Sequence, residues 1–83
     1  MSKTDYFLTI YITSWDGPSQ EFVKHLDGLN HRIIDVDHNP EIAAQQKIRA
    51  VPTTQIYNGA GELVYTKIGA APRAIIEEWI KDV

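Results

Sequence analysis

The sequence predicts one small α/β domain with the element order β-α-β-α-β-β-α. Three observations predict it. Tyr6 to Ile12, a run of aromatic and β-branched residues, and the strand-like Arg32 to Asp37 lie on either side of a segment with helical periodicity, the pattern of a right-handed βαβ unit with parallel strands. Thr54 to Tyr57 and Glu62 to Ile68 are two further strand-like runs joined by Asn58-Gly59-Ala60-Gly61, an antiparallel hairpin signal. Near the end, Ile75, Ile76, Trp79 and Ile80 recur at helical spacing. The length of 83 residues suits a single domain spanning 1–83.

Each element has its local reason. YFLTIYI, from Tyr6, is a nearly continuous run of aromatic and β-branched residues, so it reads as a central strand buried on both faces. TSWDGPS follows and must turn, because it holds Gly17 and Pro18. Pro18 suits a first helical turn, where its missing N–H is no loss, and Asp16 is placed to cap that helix. Phe22, Val23, Leu26 and Leu29 form its apolar stripe against Gln20, Glu21, Lys24 and Asp27. Gly28 and Asn30 lie where its C-cap is expected. Asn39 and Pro40 are read as cap and first residue of a short helix reaching about Ile48. Ala50-Val51-Pro52-Thr53 breaks the pattern before the hairpin, Gly69 ends the hairpin, and Pro72 opens the last helix. Trp79 shares its stripe with isoleucines and reads as core. There is no internal repeat, low-complexity stretch or linker.

Composition excludes several functions. Hydrophobic residues make up 43% and charged residues 23%, an ordinary globular balance. The formal charge is −3 with both signs interspersed, which is no nucleic-acid footprint. No apolar run nears the roughly 18 residues of a membrane span. MSKTDYFLTI lacks the pattern of a secretory signal, so a cytoplasmic monomer is expected. The chain has no cysteine, which excludes thiol catalysis, disulfides and cysteine-ligated zinc. Its core must therefore be well packed, since a domain of this size buries only about 60% of its unfolded surface. His25, His31 and His38 fit no zinc spacing and read as solvated. Asp35, Asp37 and Glu41 are explained by a strand end and a helix start, so no metal and no cofactor is expected. Ser19 lacks a Gly-x-Ser-x-Gly elbow and a third triad member, which sets hydrolysis aside.

Three motifs in register resemble the thioredoxin family across nearly the whole chain from about residue 6. Trp15-Asp-Gly-Pro-Ser19 stands where that family has Trp-Cys-Gly-Pro-Cys. Ile48-Arg-Ala-Val-Pro-Thr53 is similar to the family's Ile-Arg-x-Ile/Val-Pro-Thr, whose proline is cis. Thr66-Lys-Ile-Gly-Ala70 is similar to its Thr-x-Val-Gly-Ala. The Asp, Asn39 and Pro40 of DVDHNP match as well. The resemblance implies a minimal thioredoxin fold: a four-stranded mixed sheet with one helix on one face and two on the other. The strand and helix that precede the core in full-length members are expected to be missing here, which brings the chain closer in size to glutaredoxins and small archaeal thioredoxins. The resemblance also implies a cis Val51–Pro52 bond.

The departures are as informative. Family catalysis needs one thiolate to attack a disulfide and a second thiol to resolve the mixed disulfide. Asp16 stands at the first position and Ser19 at the second. The family's buried acid falls at Ile10 and its partner lysine at Ile33. Four concerted changes toward a redox-silent core point to a member without catalytic residues. Asp16 carries a negative charge to the helix N-terminus where the thiolate would sit, and it also caps that helix. The expected function is a redox-inactive peptide- or protein-binding module. Its binding residues would be Trp15, Asp16, Gly17, Pro18, Val51, Pro52, Ile68, Gly69 and Ala70. An exposed Trp15 invites association, and Gly69 would let a ligand backbone approach. The resemblance includes family members that serve partners regardless of redox state, one of them for a phage polymerase, which supports an interaction role; a phage or bacterial setting is an expectation only. The alternatives are an oxidoreductase homologue of atypical activity and an engineered cysteine-free scaffold.

Overall fold

A computed structural model describes residues 5–83. It contains β1 (Tyr6–Ile12), α1 (Gly17–Val23), β2 (His31–Asp35), α2 (Pro40–Gln45), β3 (Thr53–Asn58), β4 (Leu63–Ile68) and α3 (Arg73–Lys81). The four strands form one mixed sheet in the order β2-β1-β3-β4. β1 runs parallel to β2 and antiparallel to β3, and β3 pairs antiparallel with β4. The hairpin between β3 and β4 is built by Asn58, whose Oδ1 accepts the N–H groups of Ala60 and Glu62, each at 3.0 Å.

Alternation along β1 separates two faces of different character. Leu8, Ile10 and Ile12 point to one face and form the apolar core with Ile56, Phe22, Leu26 and Ile76. That face is covered by α1 and α3, and Trp79 packs edge-on against Phe22 with ring centroids 6.4 Å apart. The opposite face is polar. Thr9, Tyr11 and Gln55 are all buried there. The Tyr11 hydroxyl donates to Gln55 Oε1 at 2.9 Å, the Tyr57 hydroxyl donates to the same oxygen at 3.0 Å, and Gln55 Nε2 donates to Gln46 Oε1 at 3.0 Å. Gln46 follows α2 directly, so α2 lies over this face. It buries no residue of its own. Ile34, the partner of Tyr11 across β1 and β2, adds a buried apolar side chain there, and hydrogen bonds join the polar groups around it.

The structure corrects several boundaries. β1 is buried from Leu8 to Ile12, but Phe7 is 39% exposed, so the strand is not covered on both faces throughout. α1 stops at Val23 instead of running toward Gly28. His25 and Leu26 continue with the tighter bonds His25 N to Phe22 O and Leu26 N to Val23 O. Leu26 stays buried, so the apolar stripe outlasts the helix. The carbonyls of His25 and Asp27, left over by that change, accept from Arg73 Nη1 at 3.3 and 2.6 Å. β2 ends at Asp35, not Asp37, because Asp35 Oδ1 accepts the Asp37 N–H and turns the chain.

α2 ends at Gln45 and never reaches Ile48. Lys47 takes φ +59, the left-handed position glycine usually fills, and Ile48 N and Lys47 N bond back to Ala43 O and Ala44 O. Asn39 stands at the N-cap position without capping; its Nδ2 donates backward to Asp35 O at 3.0 Å. In α3, Ile76 is fully buried and Trp79 and Ile80 partly so, whereas Ile75 is 45% exposed and does not belong to the buried stripe.

The polar face yields a pH-dependent expectation. Burial, then the neighbouring Tyr57, raise the Tyr11 phenol above its ordinary value of 10.0, with Arg32 opposing. A phenol raised in the folded state stabilises fully below the unfolded value and loses that contribution as pH climbs through the folded one. Unfolding free energy is therefore expected to fall above about pH 10. Tyr11→Phe is expected to flatten that fall and to cost about 0.5–1.5 kcal/mol at neutral pH. Urea unfolding at neutral and alkaline pH measures both.

Candidate functional site

The candidate site begins where β1 runs out of sheet partners. Asp16 leaves the turn in extended conformation, with φ −92° and ψ 115°, as the N-cap of α1. Its Oδ2 accepts the Ser19 N–H at 2.9 Å and the Ser19 hydroxyl at 2.7 Å. Its own carbonyl accepts from Gln20 N at 3.1 Å, and Gln20 Nε2 donates back to Thr13 O at 3.0 Å. Pro18, in the first turn, has no N–H to satisfy. The helix start is thus tied on both sides of the Gly17-Pro18 corner. Ser19 is fully buried. Its hydroxyl is sealed from solvent and spent on Asp16, which leaves no nucleophile at this position.

Trp15 lies next to that cap and is 73% exposed. Its indole N–H donates to Asp37 Oδ2 at 2.7 Å, so the ring is held in one orientation at the surface. Trp15, Asp37 and Val51 line an open cavity of about 460 Å³ together with Thr13, Val36 and Arg49. Thr13 Oγ1 is buried there without a hydrogen-bond partner. The role of Asp37 had no sequence signal, since its partner is 22 residues away.

Two further loops are tied to each other by one backbone bond: Gly69 N–H donates to Pro52 O at 2.8 Å. The Val51–Pro52 peptide is cis, and Pro52 is buried while Val51 is partly exposed. Gly69 has φ +102°, a conformation other residues adopt only under strain, and an added Cβ would meet nothing within 4 Å. The backbone conformation is by itself a reason for glycine here. Gly17, Pro18 and Ala70 are exposed. Ile68, 72% exposed, lines a different cavity of about 240 Å³ with Thr53 and Lys47. The expected binding residues thus form two flanks, Trp15 with Val51 and Ile68 with Ala70, joined at Pro52 and Gly69.

The remaining candidates resolve simply. Ile10 is fully buried and Ile33 is its direct partner across β1 and β2, so an apolar pair occupies those two positions. His38 Nδ1 lies 3.2 Å from Asp35 Oδ2, and His31 Nδ1 lies 2.7 Å from the Leu29 carbonyl oxygen. Among the described residues no three His, Asp or Glu side chains gather at one point.

Removing the Asp16 side chain strands two donors of a buried serine. Asp16→Ala is expected to cost about 0.5–2 kcal/mol, whereas Asp16→Asn, which keeps an acceptor, costs only a small part of that. Equal urea midpoints for the Ala variant and the unmodified protein would remove the cap from this account.

No family model matches the chain. Individual relatives do. Mitochondrial thioredoxin-3 of Saccharomyces cerevisiae is 31% identical over 90 aligned positions, which take in 100% of this chain and 69% of the relative. The thioredoxin of Rhodospirillum rubrum is 29% identical over 75 residues, 81% of this chain and 71% of its own. Among solved structures, a point-mutant thioredoxin from Halobacterium salinarum superposes with a TM-score of 0.85 at 25% identity, covering 98% of this chain and 76% of that one. The oxidised form of the yeast mitochondrial protein gives 0.78 at 26% identity, with 96% and 80% covered. With this sheet order, this helix cap and relatives of this kind, the chain belongs to the thioredoxin family, as a member with no cysteine.

Proposed function

We propose that this protein is a redox-inactive binding module, not an enzyme, and that it grips an extended segment of a protein partner along the loops around Trp15 and Pro52. The observation that carries this reading is the contrast at adjacent residues. Asp16 turns its side chain inward and spends it on Ser19, while Trp15 stays 73% exposed and is pinned by Asp37. An exposed indole contributes little to folding and invites association. Tryptophan is also among the residue types most enriched in binding hot spots. A carboxylate in place of the attacking thiolate and a buried hydroxyl in place of the resolving thiol leave no route for disulfide exchange.

The docking surface would comprise Trp15, Gly17 and Pro18 on one side, with Val51, Pro52, Gly69 and Ala70 completing it and Ile68 at its far end. Backbone groups beside Pro52 would pair with the ligand chain, and the Trp15 ring would cover it. A cytoplasmic, monomeric protein of one domain fits this role.

Selection of a displayed random-peptide library on the immobilised protein tests it. Selected peptides are expected to bind at least about fivefold more weakly to Trp15→Ala and to Ala70→Asp, with melting midpoints nearly unchanged because both side chains lie at the surface. Gly69 is unsuitable for this purpose, since any substitution strains its backbone. Peptides that bind both variants as well as the unmodified protein would place the binding surface elsewhere.

A further inference from the structure

We infer that the outer edge of β4 accepts an extended segment of another protein, acidic at alternate positions, as a fifth strand. The sheet order leaves β4 at an edge. Leu63, Val64, Tyr65 and Ile68 are exposed by 48%, 38%, 39% and 72%, so the edge is apolar along its length. Natural sheets blunt such edges with charge, proline or a covering element. Here the strand carries one lysine, Lys67, whose amine sits over the Tyr65 ring, 5.1 Å from its centroid.

Hydrogen bonding decides which groups face outward. Gly69 N–H points inward to Pro52 O. Direction alternates along an antiparallel strand, so Lys67 also turns its backbone to β3, while the N–H and C=O of Thr66 and Ile68 point away from the sheet. The side chains of Thr66 and Ile68 share the face of Gln55 and Thr53, their partners in register. On that face lies the cavity of about 240 Å³, bounded by Leu63, Ile68, Gln46, Lys47 and Arg49. Tyr65 and Lys67 occupy the other face.

Charge selects the occupant. The cavity lining holds Lys47 and Arg49 and no carboxylate. Among the described residues neither joins an ion pair, whereas Lys24, Arg73 and Lys81 each do. This basic edge belongs to a chain whose formal charge is −3. An added strand places successive side chains on opposite faces. Acids on the cavity face would then meet Lys47 and Arg49, and apolar residues on the other face would pack on Tyr65 and the stem of Lys67. A second copy of the chain fits less well, because it would bring its own Lys47 and Arg49 to the seam. Ile68 and Arg49 are common to this edge and the Trp15 surface, whereas Lys47 lines only the edge cavity, so a change at Lys47 separates the two.

The test is a titration of isotope-labelled protein with a blocked hexapeptide alternating glutamate and valine, and with its lysine–valine counterpart, followed by amide NMR. The glutamate peptide is expected to shift the Tyr65, Thr66 and Ile68 amides and to slow hydrogen exchange at Thr66 and Ile68. The lysine peptide is expected to bind about tenfold more weakly, and the exposed change Lys47→Glu to weaken the glutamate peptide by about fivefold. No shift at millimolar peptide, or equal binding of the two peptides, overturns the inference. So do shifts confined to residues 15–19 and 51–52. Protection of Thr66 and Ile68 that grows with protein concentration, without peptide, overturns it in favour of a second copy.

Discussion

The bond pair from Ser19 to the Asp16 carboxylate is the constraint on which the rest of the site depends. Ser19 is fully buried, and its N–H and hydroxyl converge on one oxygen at 2.9 and 2.7 Å. Loss of this cap would cost about 0.5–2 kcal/mol, a large share of the stability of a small domain. The cap therefore fixes where α1 begins. That start sends Phe22 into the core against Trp79 and leaves Trp15 on the outer side of the turn. A thiolate in the same place would also accept donors at a helix N-terminus. The carboxylate keeps that structural role and drops the reactivity.

The two faces of the sheet show how the domain is held without cysteine. On one, seven apolar side chains close a core between the strands, α1 and α3. On the other, Gln55 takes the hydroxyls of Tyr11 and Tyr57 and gives its amide to Gln46. Apolar burial drives the first face; the second is a satisfied polar network, whose worth lies mainly in avoiding unpaired groups. The pair Ile10 and Ile33 belongs to the same logic, with two aliphatic side chains side by side where a charged pair would demand partners.

The element order was readable in the sequence because each period is unmixed: strand-like runs, one glycine-rich hairpin and helical stripes opened by prolines. Asp16 was readable as a cap because nothing nearer competes for the Ser19 donors. The boundaries that escaped did so for local reasons. Leu26 keeps the helical stripe while its backbone has already tightened, so periodicity cannot mark the end of α1. Lys47 takes a left-handed turn without being glycine. Asn39 looks like a cap and instead bonds backward to Asp35. The site was partly legible in the same way. The turn composition placed Trp15 outside the core, but its anchor, Asp37, and the hub at Gln55, whose bond from Tyr11 spans 44 residues, arise only from tertiary contact.

The central claim is that the frame of the family's redox site survives here with only its chemistry removed. The most direct measurement is the oxidation state of a D16C/S19C variant kept in oxidised glutathione, read by intact mass. A preserved frame predicts an intramolecular disulfide, seen as the loss of two hydrogen atoms with no glutathione adduct. A folded variant that keeps both thiols free, or carries glutathione on each, would contradict the claim.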